Sequence, residues 1–130
     1  MSLNNPLADA LSMVLNAEKI GKPECKIKPI STVIRQVFKI MQDNHYIGEQ
    51  KEIEDGRGKH LVVSLIGQIN KCGAITPRHS IKHDEFEKFE NKYLPARGFG
   101  ILILSTSQGI MTHEEAKKNS IGGKLIAYCY

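Results

Sequence analysis

The run Ile101-Leu102-Ile103-Leu104, entered through Gly98-Phe99-Gly100 and left through Ser105-Thr106-Ser107-Gln108-Gly109, sets the strongest limit on what this chain can fold into. Four consecutive aliphatic residues leave no polar face, so the segment reads as a strand covered on both sides. A strand of that kind needs neighbours in a sheet and material above and below it. Directly beyond come three hydroxyls, an amide and a glycine, a dense set of neutral donors and acceptors. The stretch offers no metal-ligand set. Its groups suit sugar hydroxyls, phosphate oxygens and base edges.

The residues that follow complete one unit. Ile110-Met111 resume an extended apolar pair, and Thr112-His113-Glu114-Glu115 fits a capping box that opens a helix. Thr112 takes the capping role, which leaves Ser105, Thr106 and Ser107 without an evident local duty and puts His113 in solvent at the helix start. Gly122-Gly123 end that helix, and Lys124 to Tyr130 reads as a closing strand.

Earlier in the chain the hydrophobic period changes. Asn5 as N-cap, Pro6 at the first helical position and Gly21 past the end bracket a helix with an apolar stripe at Leu7, Leu11, Val14 and Leu15. Cys25-Lys26-Ile27-Lys28 alternates as a half-buried strand that Pro29 stops. Ser31 caps a second helix from Thr32 to about Asn44, with Val33, Ile34, Val37, Phe38, Ile40 and Met41 on a wide apolar face. From Tyr46 the period becomes two. Ile47 to Ile53, the turn Asp55-Gly56-Arg57-Gly58 and Leu61 to Ile66 form a hairpin, with a third strand expected through Gln68-Ile69-Asn70.

These elements predict an α+β protein of two small packed α/β units. Residues 1–69 form an N-terminal αβαββ unit, and residues 70–130 a mostly-β unit with a short helix. Between His79 and Tyr93 the pattern is weakest, although Asp84 to Glu90 is helical by composition and charged on most faces. There Phe86, Phe89 and Tyr93 can dock on the sheet while the acids of Asp84 to Glu90 stay in water.

Charge narrows the partner class. Lys and Arg exceed Asp and Glu by 18 to 14, a formal net charge of +4, with a pI near 9.0. The cations concentrate. Lys19, Lys22, Lys26, Lys28, Arg35 and Lys39 face only Glu24 between positions 19 and 39, a patch suited to a polyanion. Acids gather at Glu49 to Asp55 and again at Asp84 to Glu90. No run approaches the length of a membrane span, and the N-terminus lacks the pattern of a signal peptide, so a cytoplasmic location is expected. Cys25, Cys72 and Cys129 are odd in number with no Cys-x-x-Cys spacing. That argues against a disulfide framework or a zinc knuckle and suggests buried or half-buried thiols on strands.

Three other chemistries have candidate residues in the chain. A hydrolase or transferase would need Ser107 or Cys72 as nucleophile with His79, His83 or His113 as base, and no Gly-x-Ser-x-Gly elbow is present. A metal site at His79 and His83 needs a helix between them, whereas Ser80-Ile81-Lys82 alternates like a strand. An adaptor would bind through the acidic segment, which a solvated helix explains as well.

The order of motifs resembles a known family over nearly the whole chain. Leu94 to Ile101, the Ser-Thr-Ser-x-Gly stretch, His113-Glu114-Glu115-Ala116 and Gly122-Gly123-Lys124-Leu125 are similar to small-subunit ribosomal protein eight in its archaeal and eukaryotic form. Asn5 to Ser12, Asn16 to Lys19 and Asn70 to Arg78 resemble its front and middle. The resemblance implies a structural constituent of the small ribosomal subunit with neither catalysis nor cofactor. It implies binding to the central domain of small-subunit rRNA and help with its folding and assembly, contact with neighbouring small-subunit ribosomal proteins, and translational control through its own operon mRNA. It implies no membrane and no small-molecule substrate. The RNA contacts it implies are Ser105, Thr106, Ser107, Gln108 and Gly109 in a groove-reading loop. Lys28, Pro29, Ser31 and Thr32 would form a phosphate-facing turn, and Lys124 would stand on the closing strand, where bacterial relatives carry glutamate.

Overall fold

In the computed structural model, described for residues 6–27, 31–54, 56, 58–75, 79–96 and 98–130, the chain is α+β. It divides into two compact units, one reaching to Asn70 and the other starting at Lys71. The expected N-cap Asn5, together with Lys28 and Pro29, lies outside the described residues.

In the first unit, helix α1 spans Pro6–Lys19 and buries Leu7, Ala10, Leu11, Val14 and Ala17. Strand β1, Glu24–Ile27, alternates exposed and buried, so Cys25 and Ile27 enter the core while Lys26 stays in water. Helix α2, Thr32–Asp43, buries Ile34, Val37, Phe38 and Met41. This is the face that the 3.6-residue period marks out. The hairpin follows as β2, Ile47–Glu54, and β3, Lys59–Leu65. Helix α1 packs on β1 and α2, and α2 packs on β2.

The sheet order is β1-β3-β2. The third strand expected at Gln68 to Asn70 does not form, because β1 already pairs along β3, Cys25 opposite Val63 and Ile27 opposite Leu61. Gly67, at φ +77°, also turns the chain out of the ladder directly after that strand. Ile69 is nonetheless buried.

The second unit is a five-stranded sheet. Short strands β4, Cys72–Ala74, and β5, Ser80–Ile81, both pair with β8, Gly123–Cys129. Strand β8 pairs in turn with β6, Ile101–Thr106, and β6 with β7, Gly109–Thr112. Ile101 to Leu104 are all buried, as a strand covered on both faces requires. Two helices, not one, accompany the sheet: α3, Phe86–Tyr93, and α4, His113–Lys118. The weakly patterned segment therefore does form the helix that its composition favours. Its Phe86 and Phe89 join Leu102, Leu104, Met111, Ala116 and Leu125 in one core. Its acids do not all stay wet, since Glu90 is only 6% exposed.

Candidate nucleic-acid interface

The hydroxyl stretch is the tip of a two-residue hairpin, whose second strand contains the extended pair expected at Ile110-Met111 and pairs back on β6. Ser105 and Thr106 continue β6, opposite Ile110 and Gly109, and only Ser107 and Gln108 make the turn. Gly109 takes φ +115°, a conformation that favours glycine. Ser105, Ser107, Gln108 and Gly109 are exposed, and Thr106 is half-buried.

Thr106 has a local duty after all. Its hydroxyl donates to the Gly109 carbonyl at 2.7 Å and accepts from the Gln108 N–H at 3.1 Å. One side chain therefore holds the turn from both sides. Ser107 and Gln108 project from a preorganised tip, with the ordering cost met within the protein and not at binding.

Across the sheet the same level carries a polar row. Lys124 on β8 stands opposite Ser80 on β5 and opposite Ser105 on β6. All three are exposed. Gly122 and Gly123 allow this convergence. A Cβ on Gly123 would lie 2.3 Å from the Ser105 carbonyl oxygen, and one on Gly122 would lie 2.2 Å from that of Ile81. The pair reads in sequence as a helix break. Its heavier duty is close backbone approach, and the clue was its place directly before a strand. Ser80 went unnoticed because its role depends on a register that sequence does not display.

His113 overturns the expectation of a solvent-facing ring. It is 2% exposed, and its Nδ1 accepts the Leu102 backbone N–H at 3.1 Å. That bond assigns the proton to Nε2, which lies 3.2 Å from Oε1 of Glu90. Lys117 reaches the same carboxylate oxygen. Burial pushes the His113 pKa below its ordinary 6.5, against the opposing pull of Glu90. A neutral imidazole thus fastens α4 to β6 and, through Glu90, to α3. Thr112 does cap α4 as expected, accepting from the Glu115 N–H at 3.3 Å. The ring is engaged in scaffolding, which removes it as a base for Ser107.

In the first unit Ser31 caps α2 by accepting the Ile34 N–H at 3.2 Å. Ser31 and Thr32 are exposed. No acidic residue occupies the first turn of α2, which favours an anion at that helix start. The basic patch is less free than its sequence suggests, because Arg35 is paired with Glu52 on β2. Lys22 and Lys26 line a groove with Met13, Ala17, Ile20 and Cys25, where burial pushes the Cys25 thiol up against the opposing influence of Lys22. At the former metal candidate, β5 makes Ser80-Ile81 extended, and the His79 ring packs at 5.7 Å from that of Phe89.

An α+β chain with a rigid hydroxyl hairpin, an uncovered helix start and solvated lysines has the makings of a polynucleotide-binding protein. The sequence model of the family described as Ribosomal protein S8 matches residues 5–130, and the chain belongs to that family. It is a structural, non-enzymatic component of the small ribosomal subunit, in the class of rRNA-binding proteins.

Proposed function

We propose that this protein binds the central domain of small-subunit rRNA as a primary binder and helps that region fold during assembly. The observation that carries the reading is the β6–β7 hairpin, whose turn is fixed by Thr106 while Ser105, Ser107 and Gln108 remain exposed. The wide minor groove of A-form RNA displays 2′-hydroxyls and base edges, which short hydroxyl side chains and backbone groups reach where long cations would overshoot. Lys124 and Ser80 extend the contact across the sheet. Ser31 and Thr32 at the start of α2, with Lys28 and Pro29 preceding them in sequence, supply the phosphate contacts that set register. Neighbouring small-subunit proteins complete the environment, in an archaeal- or eukaryotic-type ribosome in the cytoplasm.

The hairpin carries no long sequence code, so an operon mRNA hairpin with the same distorted groove would compete for the same surface and permit translational control. Hydroxyl-radical footprinting on small-subunit rRNA over a salt series tests the main reading. Protection should fall within the central domain, with log affinity declining linearly in log salt by about 0.7 to 0.9 per phosphate contact. Protection confined to another domain, or affinity indifferent to salt, would overturn it.

A further inference from the structure

We infer that Cys72 and Cys129 form an oxidation site, in which a hydroperoxide converts the two thiols into a cross-strand disulfide. The pair is set by register. Cys72 on β4 is the Cα partner of Cys129 on β8, so the two side chains leave the same face of the sheet. On one side of them, Lys71 and Tyr130 exchange both backbone bonds, at 2.9 and 2.8 Å. Three pairs along the other way, the Ile75 N–H donates to the Ile126 carbonyl at 2.9 Å.

Bonded pairs alternate with non-bonded ones along an antiparallel ladder, which makes Cys72 and Cys129 a non-hydrogen-bonded pair. In that position the Cα atoms lie about 4.5 Å apart, inside the roughly 4.4 to 6.8 Å that a disulfide spans. A hydrogen-bonded pair would hold its side chains further apart. The structure thus brings together two thiols that the sequence reading treated as separate buried residues. It holds them reduced, with no disulfide among Cys25, Cys72 and Cys129.

Access comes through β4. The strand has only three residues and lies at the end of the sheet order, next to β8 alone, so its opening disturbs little of the core. Cys72 is 4% exposed and Cys129 is 0% exposed. Cys72 is therefore the first sulfur met. Its thiolate attacks the peroxide, the O–O bond breaks, and a sulfenic acid and one water result after protonation. The Cys129 sulfur then attacks the sulfenic sulfur, displacing the second water and forming the S–S bond. Two thiols and one hydrogen peroxide give one disulfide and two waters. The bond would enclose β5, α3, the hydroxyl hairpin, α4 and most of β8 in a single covalent ring. A thiol reductant reopens it, the behaviour expected of a transient disulfide in a reducing compartment.

The test is a peptide map of the full chain after treatment with hydrogen peroxide, alkylation in denaturant and non-reducing digestion. A Cys72–Cys129 linked peptide, absent after dithiothreitol and accompanied by alkylated Cys25, is the expected result. Cys129→Ser should abolish the link and leave Cys72 to be trapped by dimedone as its sulfenic acid. Recovery of Cys72 and Cys129 as separately alkylated or sulfinic peptides from the wild-type chain would overturn the proposal. So would a link that joins Cys25.

Discussion

Thr106→Val separates preorganisation of the hairpin from direct contact with RNA. Valine keeps the branched shape and the strand preference, so the pairing of Thr106 with Gly109 survives. What disappears is the hydroxyl that donates to Gly109 at 2.7 Å and accepts from Gln108 at 3.1 Å. Each such bond contributes about 0.5 to 1.5 kcal/mol net. Both are exposed, so water replaces part of the loss and the turn should be weakened by roughly 1 kcal/mol. If the tip must hold its folded geometry to bind, the apparent affinity falls with the competent fraction, by at most about five-fold at that energy and by less the more stable the turn is to begin with. Calorimetric titration with a central-domain rRNA fragment reads the affinity, and amide exchange at Gln108 reads the turn. Faster exchange at Gln108 with unchanged affinity would refute the view that this hairpin is the binding element.

Ser107→Ala leaves both turn bonds in place, and should cost about 1 to 3 kcal/mol of specific affinity with non-specific RNA binding nearly unchanged in a filter-binding comparison. Gly123→Ala drives a Cβ into the Ser105 carbonyl. It should lower the midpoint of thermal unfolding by an amount equivalent to about 1 to 3 kcal/mol and weaken RNA binding along with it. Glu90→Ala leaves the buried His113 Nε2–H without its acceptor and should cost about 1 to 3 kcal/mol in urea denaturation, whereas Glu90→Gln keeps an acceptor and should cost under about 1 kcal/mol. Because the folded pKa of His113 is depressed, the unfolded chain takes up the proton first. The stability tied to the neutral ring is therefore full above pH 6.5 and declines as pH falls from there toward the lowered folded value. His113→Gln should flatten that part of the pH profile.

The helices and most strands were legible because their signals are local. The apolar stripes of α1 and α2, the cap at Ser31 and the buried run Ile101 to Leu104 each lie within a few residues of sequence. What escaped depends on partners distant along the chain. The edge of β3 belongs to β1, some forty positions earlier, so the strand expected at residues 68–70 had no place to pair. His113 follows a capping threonine, a position usually in water, but the ring turns inward because Glu90 and the Leu102 N–H wait there. The candidate site shows the same division. Its composition was evident from the hydroxyl run, while the turn at Ser107-Gln108 and the Ser80-Lys124-Ser105 row follow from register.

The bond from His113 to Glu90 gives the second unit a spectroscopic handle that needs no label. An imidazole N–H sheltered from water and held by a carboxylate exchanges slowly, so its proton should resonate well downfield of the amide envelope in a simple one-dimensional spectrum. That resonance belongs to the helix immediately after the hairpin, and the same ring is bonded to the hairpin's first strand. A titrated RNA that loads the tip should therefore move this downfield peak. The chain carries its own probe of occupancy, reading out from the core of the second unit what happens at the tip of the hairpin.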